Sequence, residues 1–252
     1  MDIHLMAKPN LSSTVKNYLY QYIRQIYLKG EEKLSPENVI STNLGVSRVT
    51  VRRALGDLEK EGVIIRIHGR GTFINPEAVT IQANLMPGEE FSHLIKSCGY
   101  TPSIEVISLS REMPSPVCLR TLRLTADTEV FRVEKLYLAD GHPAIISVDY
   151  FSCNLVNGEL EREALEKESV FHLLRSRTGH LVARDKISME AISKETAAKI
   201  IPSAHRLENN SLLFFQGINY NQENIPIIFD YELYDTNFIK FGLLRMKDVY
   251  GD

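Results

Sequence analysis

Apolar residues recur at helical spacing near the start of the chain. Val15, Tyr18, Leu19, Tyr22, Ile23 and Ile26 fall three and four positions apart, which predicts an amphipathic helix capped by Ser12 or Ser13 and ended near Gly30. Ser35 then offers a second cap, with Pro36 at the first helical position, Glu37 favourable to the dipole, and Val39 and Ile40 turned inward. Asn43-Leu44-Gly45-Val46 breaks this short helix, because Gly45 can take the left-handed conformation of a tight turn. A third helix restarts at Ser47. Its apolar face is Val51, Ala54, Leu55 and Leu58, while Arg48, Thr50, Arg52 and Arg53 lie at its polar beginning or on its other flank. Gly62 ends it, Val63 to Ile67 reads as a strand, and His68-Gly69-Arg70-Gly71 turns into a second strand, Thr72 to Ile74.

The pattern then changes. Asn75-Pro76-Glu77 closes the hairpin, residues 76–88 read as a linker ending in Pro87-Gly88, and a second domain is expected over 89–247. Phe91 to Ser97 reads as a helix ended by Gly99, Ile104 to Leu109 as a strand, Glu129 to Leu138 as a strand of alternating pattern, and Ser169 as the start of another helix. An internal echo organises this part. Tyr137 to Ile146 and Tyr220 to Phe229 share a tyrosine, a polar turn, a proline and an apolar strand at equal spacing, continued as Ser147-Val148-Asp149-Tyr150 and Asp230-Tyr231-Glu232. Two such hairpins predict a pseudo-symmetric antiparallel sheet. The fold class is therefore α+β, with a winged helix-turn-helix ahead of an antiparallel-sheet domain.

Composition refines this picture. With 44% hydrophobic and 24% charged residues and no run of around 18 apolar residues, the 252-residue chain reads as globular, without a membrane span. Met1-Asp2-Ile3-His4-Leu5 lacks the basic and apolar regions of a secretory signal, so the expected location is the cytoplasm. Cys98, Cys118 and Cys153 are far apart and form no Cys-x-x-Cys pair, so packed thiols are expected, with no disulfide framework, metal site or cofactor. Charge divides the chain. Residues 1–75 carry 11 basic and 7 acidic side chains, and residues 76–252 carry 18 and 25, so only the first part favours a polyanion.

Leu44-Gly45-Val46-Ser47-Arg48-Val49-Thr50-Val51-Arg52-Arg53-Ala54-Leu55 and His68-Gly69-Arg70-Gly71-Thr72-Phe73-Ile74 resemble the GntR family of bacterial regulators over roughly residues 11–75. The physics agrees with that resemblance. A helix start bearing Ser47 and Thr50 offers donors to phosphate, and arginine grips either a phosphate or a guanine edge. The resemblance implies DNA contacts from Ser35, Ser47, Arg48, Thr50, Arg52, Arg53, His68, Gly69, Arg70, Gly71 and Thr72. Arg48 and Arg52 are implied as base or phosphate readers, and the wing glycines let Arg70 approach the minor groove. One departure stands out. The family usually reads Leu-Pro-Ser-Glu-Arg at the second helix, whereas this chain has Leu34-Ser35-Pro36-Glu37-Asn38 and loses an arginine.

The order of elements in the second part looks like the effector-sensing domain of the HutC branch of that family, whose fold is similar to chorismate lyase. That resemblance implies effector contacts near Lys135, Tyr137, Ser147, Ser169 and Asp230. Chemically, Lys135 and donors near Ser169 suit an anionic group, and Asp149, Asp230 or Glu232 suit an amine or hydroxyls; each is alternatively a surface charge. Sugar-phosphate sensors of the branch carry two arginines where this chain has Lys135 and Tyr137, and a glutamate where it has Ser147, which argues against a phosphosugar effector. The histidines are scattered, with no nucleophile motif or metal spacing beside them, so no enzyme is expected despite the lyase-like fold. The implied function is a repressor, or alternatively an activator, that binds palindromic operator DNA as a homodimer under control of a small-molecule effector. A lyase-like enzyme and a protein-binding winged helix are the competing readings.

Overall fold

The computed structural model of the chain describes residues 11–81, 83–85, 90–156 and 158–245. The described residues up to 85 form one compact unit together with those from Phe241 onward, and the described residues between 90 and Lys240 form another.

The first unit opens with α1 (Leu11–Leu28), which buries Val15, Leu19, Tyr20, Ile23 and Ile26. Ser12 and Ser13 lie inside α1, not ahead of it, and Tyr18 is exposed while Tyr20 takes the buried place. Helix α2 (Glu37–Leu44) begins later than expected. Pro36, extended at φ −56° and ψ 147°, occupies the cap position and Glu37 the first turn, so Ser35 makes no capping bond. This shift turns Ile40 inward and leaves Val39 exposed. Gly45, at φ 63°, then closes α2 with its N–H donated to the carbonyls of Ser41 and Thr42.

Helix α3 (Arg48–Lys60) starts on Ser47, whose Oγ accepts from the Thr50 N–H at 3.1 Å. Its buried face is Val51, Ala54, Leu55 and Leu58. These join Leu19, Ile23, Ile64 and Ile74 in one core, in which each fully buried side chain contributes about 1.5–3 kcal/mol. Strands β1 (Ile64–Ile67) and β2 (Gly71–Ile74) pair antiparallel as the wing. The expected linker is partly structured. Asn75 caps α4 (Pro76–Val79), and β3 (Ala83–Asn84) follows, while Pro87-Gly88 lies outside the described residues.

The second unit contains α5 (Phe91–Ser97), β4 (Pro102–Glu112), α6 (Pro116–Leu122), β5 (Val130–Ala139), β6 (His142–Ser152), α7 (Arg162–Lys167) and α8 (Val170–Thr178). It continues with β7 (Val182–Ser193), α9 (Lys194–Ile200), β8 (Ser211–Asn221) and β9 (Pro226–Asp235), after which β10 (Phe241–Gly242) pairs parallel with β3 in the first unit's own sheet. The expected end of the second domain at 247 lies outside the described residues.

Six strands form one antiparallel sheet in the order β4-β5-β6-β9-β8-β7. The two echoing hairpins, β5–β6 and β8–β9, therefore meet at its centre. Asp140 (φ 49°) and Gly141 (φ 85°) make the first turn, with the positive dihedrals a two-residue hairpin demands. The prolines coincide, because Pro143 pairs with Leu138 and Pro226 with Tyr220. The echoing tyrosines do not: Tyr137 instead pairs with Ile145, one place out of phase.

Strand β5 is buried almost continuously and does not alternate with solvent, because both sheet faces are covered. Phe131, Val133, Phe151 and Ile228 pack with Leu165 of α7 and Leu173 and Leu174 of α8 on one face. Leu136, Ile146, Val148 and Leu233 pack with Ala197, Ile201 and Ala204 on the other.

Candidate functional site

Two places concentrate polar side chains that packing does not require. The first is the start of α3 and the wing. Arg48, Arg52, Arg53, His68, Gly69 and Arg70 are exposed there, opposite the buried face of the helix. The Ser47 and Thr50 hydroxyls are bonded to each other at 2.8 Å, close to the backbone N–H groups of the first turn. Those groups form the positive end of the helix dipole. Gly69 (φ 72°) and Gly71 (φ 111°) hold the wing turn, and Arg70 and Lys33 lie over the ring of Phe73 at 5.7 and 5.5 Å. Ser35 sits half-buried just before α2, and the Thr72 carbonyl accepts from the Leu34 N–H.

Sequence reasoning missed what aims the arginines. Glu37 accepts from Arg52 Nε at 3.0 Å and from Arg66 at 3.4 Å, and Arg66 also pairs with Glu59 at 3.5 Å. No local signal links Glu37 to partners so far along the chain; the α2–α3 packing creates the contact. Val49, 76% exposed between Arg48 and Thr50, was also passed over, since it fits no buried stripe.

The second place is the face of the central sheet beneath α5 and α8. Cross-strand register puts Lys135, Ser147, Glu232 and Phe215 in one row, and Val133, Asp149, Asp230 and Gly217 in the next. Tyr137 flanks the first row, next to Phe91 of α5 with ring centroids 4.8 Å apart. Lys135, Ser147, Asp149 and Asp230 are buried, and Glu232 is half-buried. Lys135 Nζ donates to the Glu168 carbonyl at 2.7 Å, at the entrance to α8. Ser169 caps that helix by accepting from the His172 N–H, and its own hydroxyl donates to Glu90 at 2.7 Å. Ser147 Oγ donates to Asp149 at 3.3 Å, the Tyr234 hydroxyl donates to Glu232, and the Asn219 amide donates to Asp230. The structure thus brings Lys135, Tyr137, Ser147, Asp149, Asp230 and Glu232 onto one sheet face, with Ser169 above it.

The electrostatics follow from crowding and burial. Burial pushes Asp149 up to about 6, with Lys135 opposing that rise, and pushes Glu232 up to about 7 with Asp149 and Asp185 adding to it. Asp230 rises well above the carboxylate range through burial, then through Glu232 and Asp149. Burial also lowers Lys135, against the pull of Asp149, Glu90 and Glu168. Burying such ions costs several kcal/mol each, whereas apolar side chains there would contribute about 1.5–3 kcal/mol each. Stability alone does not account for them.

Tyr234 continues the alternation of Asp230 and Glu232, so period-two counting reaches it. Gly217, in the middle of an apolar strand, carried the sign of a close approach: a Cβ there would lie 2.1 Å from Asp230 Oδ1. Glu90 and Phe91 have no such signal, because a separate helix delivers them. An open surface hollow elsewhere is lined by Ser193, Lys194, Glu195, Ala198, His205 and Asn210, and none of the expected residues borders it. Among the described residues no cluster of His, Cys, Asp and Glu is arranged to hold a metal ion, and no helix is long and apolar enough to cross a membrane.

Comparison with known proteins identifies both units. Residues 11–74 match the model of the bacterial regulatory proteins of the gntR family, and residues 97–240 match the UTRA domain, which spans more than half of the chain. A relative from Escherichia coli (strain K12), named "Probable fructoselysine utilization operon transcriptional repressor", is 27% identical over 180 residues, covering 71% of this chain and 72% of the relative. The transcriptional repressor NagR of Bacillus subtilis is 25% identical over 175 residues, 69% of this chain and 71% of NagR. The crystal structure of YydK from Bacillus subtilis superposes with a TM-score of 0.66 at 18% identity, covering 94% of this chain and all of that one. The fold agrees with that of PhnF from Mycobacterium smegmatis too, at a TM-score of 0.55 and 17% identity over 92% of this chain and 99% of PhnF. The chain is thus a DNA-binding transcriptional regulator of the GntR family, with a winged helix-turn-helix in its first unit and a UTRA domain in its second.

Proposed function

We propose that the chain is a repressor that binds a palindromic operator as a homodimer and leaves it when a small-molecule effector occupies the polar sheet face. The exposed cationic start of α3 carries this reading: Arg48, Arg52 and Arg53 project opposite a fully buried apolar face, so folding does not need them. Arg48 and Arg52 read bases or phosphates in the major groove, with Ser47, Thr50 and Arg53 in support and Val49 free to meet a thymine methyl. Ser35 contacts phosphate, and His68, Gly69, Arg70, Gly71 and Thr72 place the wing against the minor groove. The repressor sense follows the names of the Escherichia coli and NagR relatives.

Lys135, Tyr137, Ser147, Asp149, Ser169, Asp230 and Glu232 hold the effector. Binding, not catalysis, is the role of this face, and the protein works on DNA in the cytoplasm. Residues 1–75 serve as DNA-binding domain, with the stretch after them and the residues from Phe241 onward completing that unit, and the residues between 90 and Lys240 serve as effector and dimerisation domain. The outer edge of β7, with Met189 exposed and no strand paired beyond it among the described residues, supports a second copy as the partner.

Mobility shift on operator DNA tests the reading. Arg48→Ala or Arg52→Ala should weaken operator binding by about 1–3 kcal/mol, and wild-type affinity should fall steeply with salt. Unchanged affinity in both variants, salt-independent binding, or a monomer on operator DNA in sedimentation would each defeat it.

A further inference from the structure

The two polar rows are related by a local twofold between β6 and β9. A half-turn exchanges Ser147 with Asp230, Asp149 with Glu232, and Lys135 with Gly217, as the register shows: Lys135 faces Ser147, Gly217 faces Asp230, Ser147 faces Glu232, and Asp149 faces Asp230. The backbone and the acid pair Asp149 and Glu232 obey this symmetry, whereas Lys135 has a glycine as its mate and Asp230 a serine. One half of the site has a buried lysine beside its acid. The other half has a glycine in the lysine's place, and among the described residues its two carboxylates accept from neutral donors, Asn219 and Tyr234.

An independent observation marks the same half. Asp230 is 2% exposed, and its Oδ1 is a buried side-chain oxygen with no hydrogen-bond partner among the described residues. A buried carboxylate oxygen left unmatched is costly, so proteins rarely keep one without a use. Glu90, brought in by α5, adds another acid at the Lys135 end. Among the described residues, Lys135 is thus the one lysine set against Asp149, Asp230, Glu232 and Glu90, with Asp185 adding to the acids around Glu232.

Taking the polar face as the effector site, we infer that the effector carries a protonated amine, which sits at the Asp230–Glu232 end, where the twofold lacks a second lysine. The hydroxyl or carboxylate part of the same molecule then faces Lys135 and Ser147, and the aromatic rings of Phe91, Tyr137 and Phe215 cover its carbon frame. A phosphate monoester fits poorly, since any ionised acid of this face would repel it, a protonated Asp230 or Glu232 offers it no charge, and one buried lysine would answer it. The raised carboxylates agree with this assignment, because a bound ammonium would displace protons from them.

Thermal unfolding of the full chain at about pH 8 tests the inference with matched probes. The pairs are 1,5-diaminopentane against 1,5-pentanediol and 6-aminohexanamide against 6-hydroxyhexanamide, with glucose 6-phosphate and calcium chloride added separately. At least one amine should raise the midpoint by about 2–5 °C at roughly 10 mM while its neutral partner does not. Glu232→Gln should raise the half-saturating concentration at least about tenfold, and Asp230→Asn should do the same where it folds.

The inference is overturned if no amine acts, if a neutral partner or calcium acts as strongly, or if the amine response survives Glu232→Gln. Should glucose 6-phosphate act and Lys135→Met abolish the effect, the face remains the effector site and the amine class is wrong. Should a probe act with neither Lys135→Met nor Glu232→Gln altering it, the effector-site reading itself fails.

Discussion

The two functional regions hold charge in opposite ways. At the start of α3 and in the wing, the arginines are exposed, come from one short stretch of chain, and face a buried stripe on the same helix. On the sensor sheet, the charges are buried or half-buried, come from three strands and two helix entrances, and are mostly of one sign. A surface that meets a polyanion can leave its cations in water until DNA arrives, because exposed charge costs the fold little. A site that must recognise one small molecule withdraws its charges from water, where each missing partner is felt.

This contrast can be tested by substitutions that ought to act on one region only, the strongest being Gly217→Ala. The added methyl would collide with Asp230, whose carboxyl cannot swing away without giving up its bond from Asn219. The second unit should lose about 1–3 kcal/mol in denaturant unfolding, with effector response abolished, while its native fraction binds operator as before. Equal loss of operator affinity would break the comparison.

A smaller effect is expected at Glu37. Glu37→Gln releases Arg52 and Arg66 from an ion pair that is partly exposed and worth no more than about 1 kcal/mol. Removing an acid beside the DNA surface should raise affinity for unrelated DNA, and loss of the arginine's aim should lower the ratio of operator to unrelated binding, each within roughly fivefold. Mobility shifts on both DNAs check this, and an unchanged ratio would show that Glu37 does not position Arg52.

The smallest effect concerns pH. Glu232 is protonated more readily in the folded chain than in the unfolded one, so its contribution is fully present below the ordinary glutamate range and lost as pH rises through about 7. Asp149 acts in the same sense through about 6. The groups facing Glu232 are Tyr234, Asp149, Asp230 and Asp185. Glu232→Gln should therefore unfold roughly 1–2 °C higher than the wild type at neutral to alkaline pH without ligand, and the difference should vanish near pH 4. A constant difference across pH would place its cause outside titration.

Legibility differed between the regions for the same reason. The turn at Gly45, the Ser47 cap and the stripe from Val51 to Leu58 are set by spacing within a few residues, and α3 starts where those signals put it. Errors arose where two local signals compete: Ser35 and Pro36 both favour a helix start, and packing of Ile40 settled it one residue later. On the sheet, the echo announced two hairpins and their prolines, yet the register displaced Tyr137 from its expected counterpart. Glu90, Phe91 and Glu37 were illegible because their partners are distant in the chain.

By itself, then, the sequence determined the winged helix, its arginines, the two hairpins and the residue types of the sensor face, since each rests on periodicity, capping or turn chemistry over short distances. Only the tertiary structure decided that β6 and β9 lie side by side, that Gly217 stands opposite Asp230 where Lys135 stands opposite Ser147, and that one carboxylate oxygen there lacks a partner. Strand pairing across the chain joins residues that no local rule relates, and burial then fixes which of their charges matter.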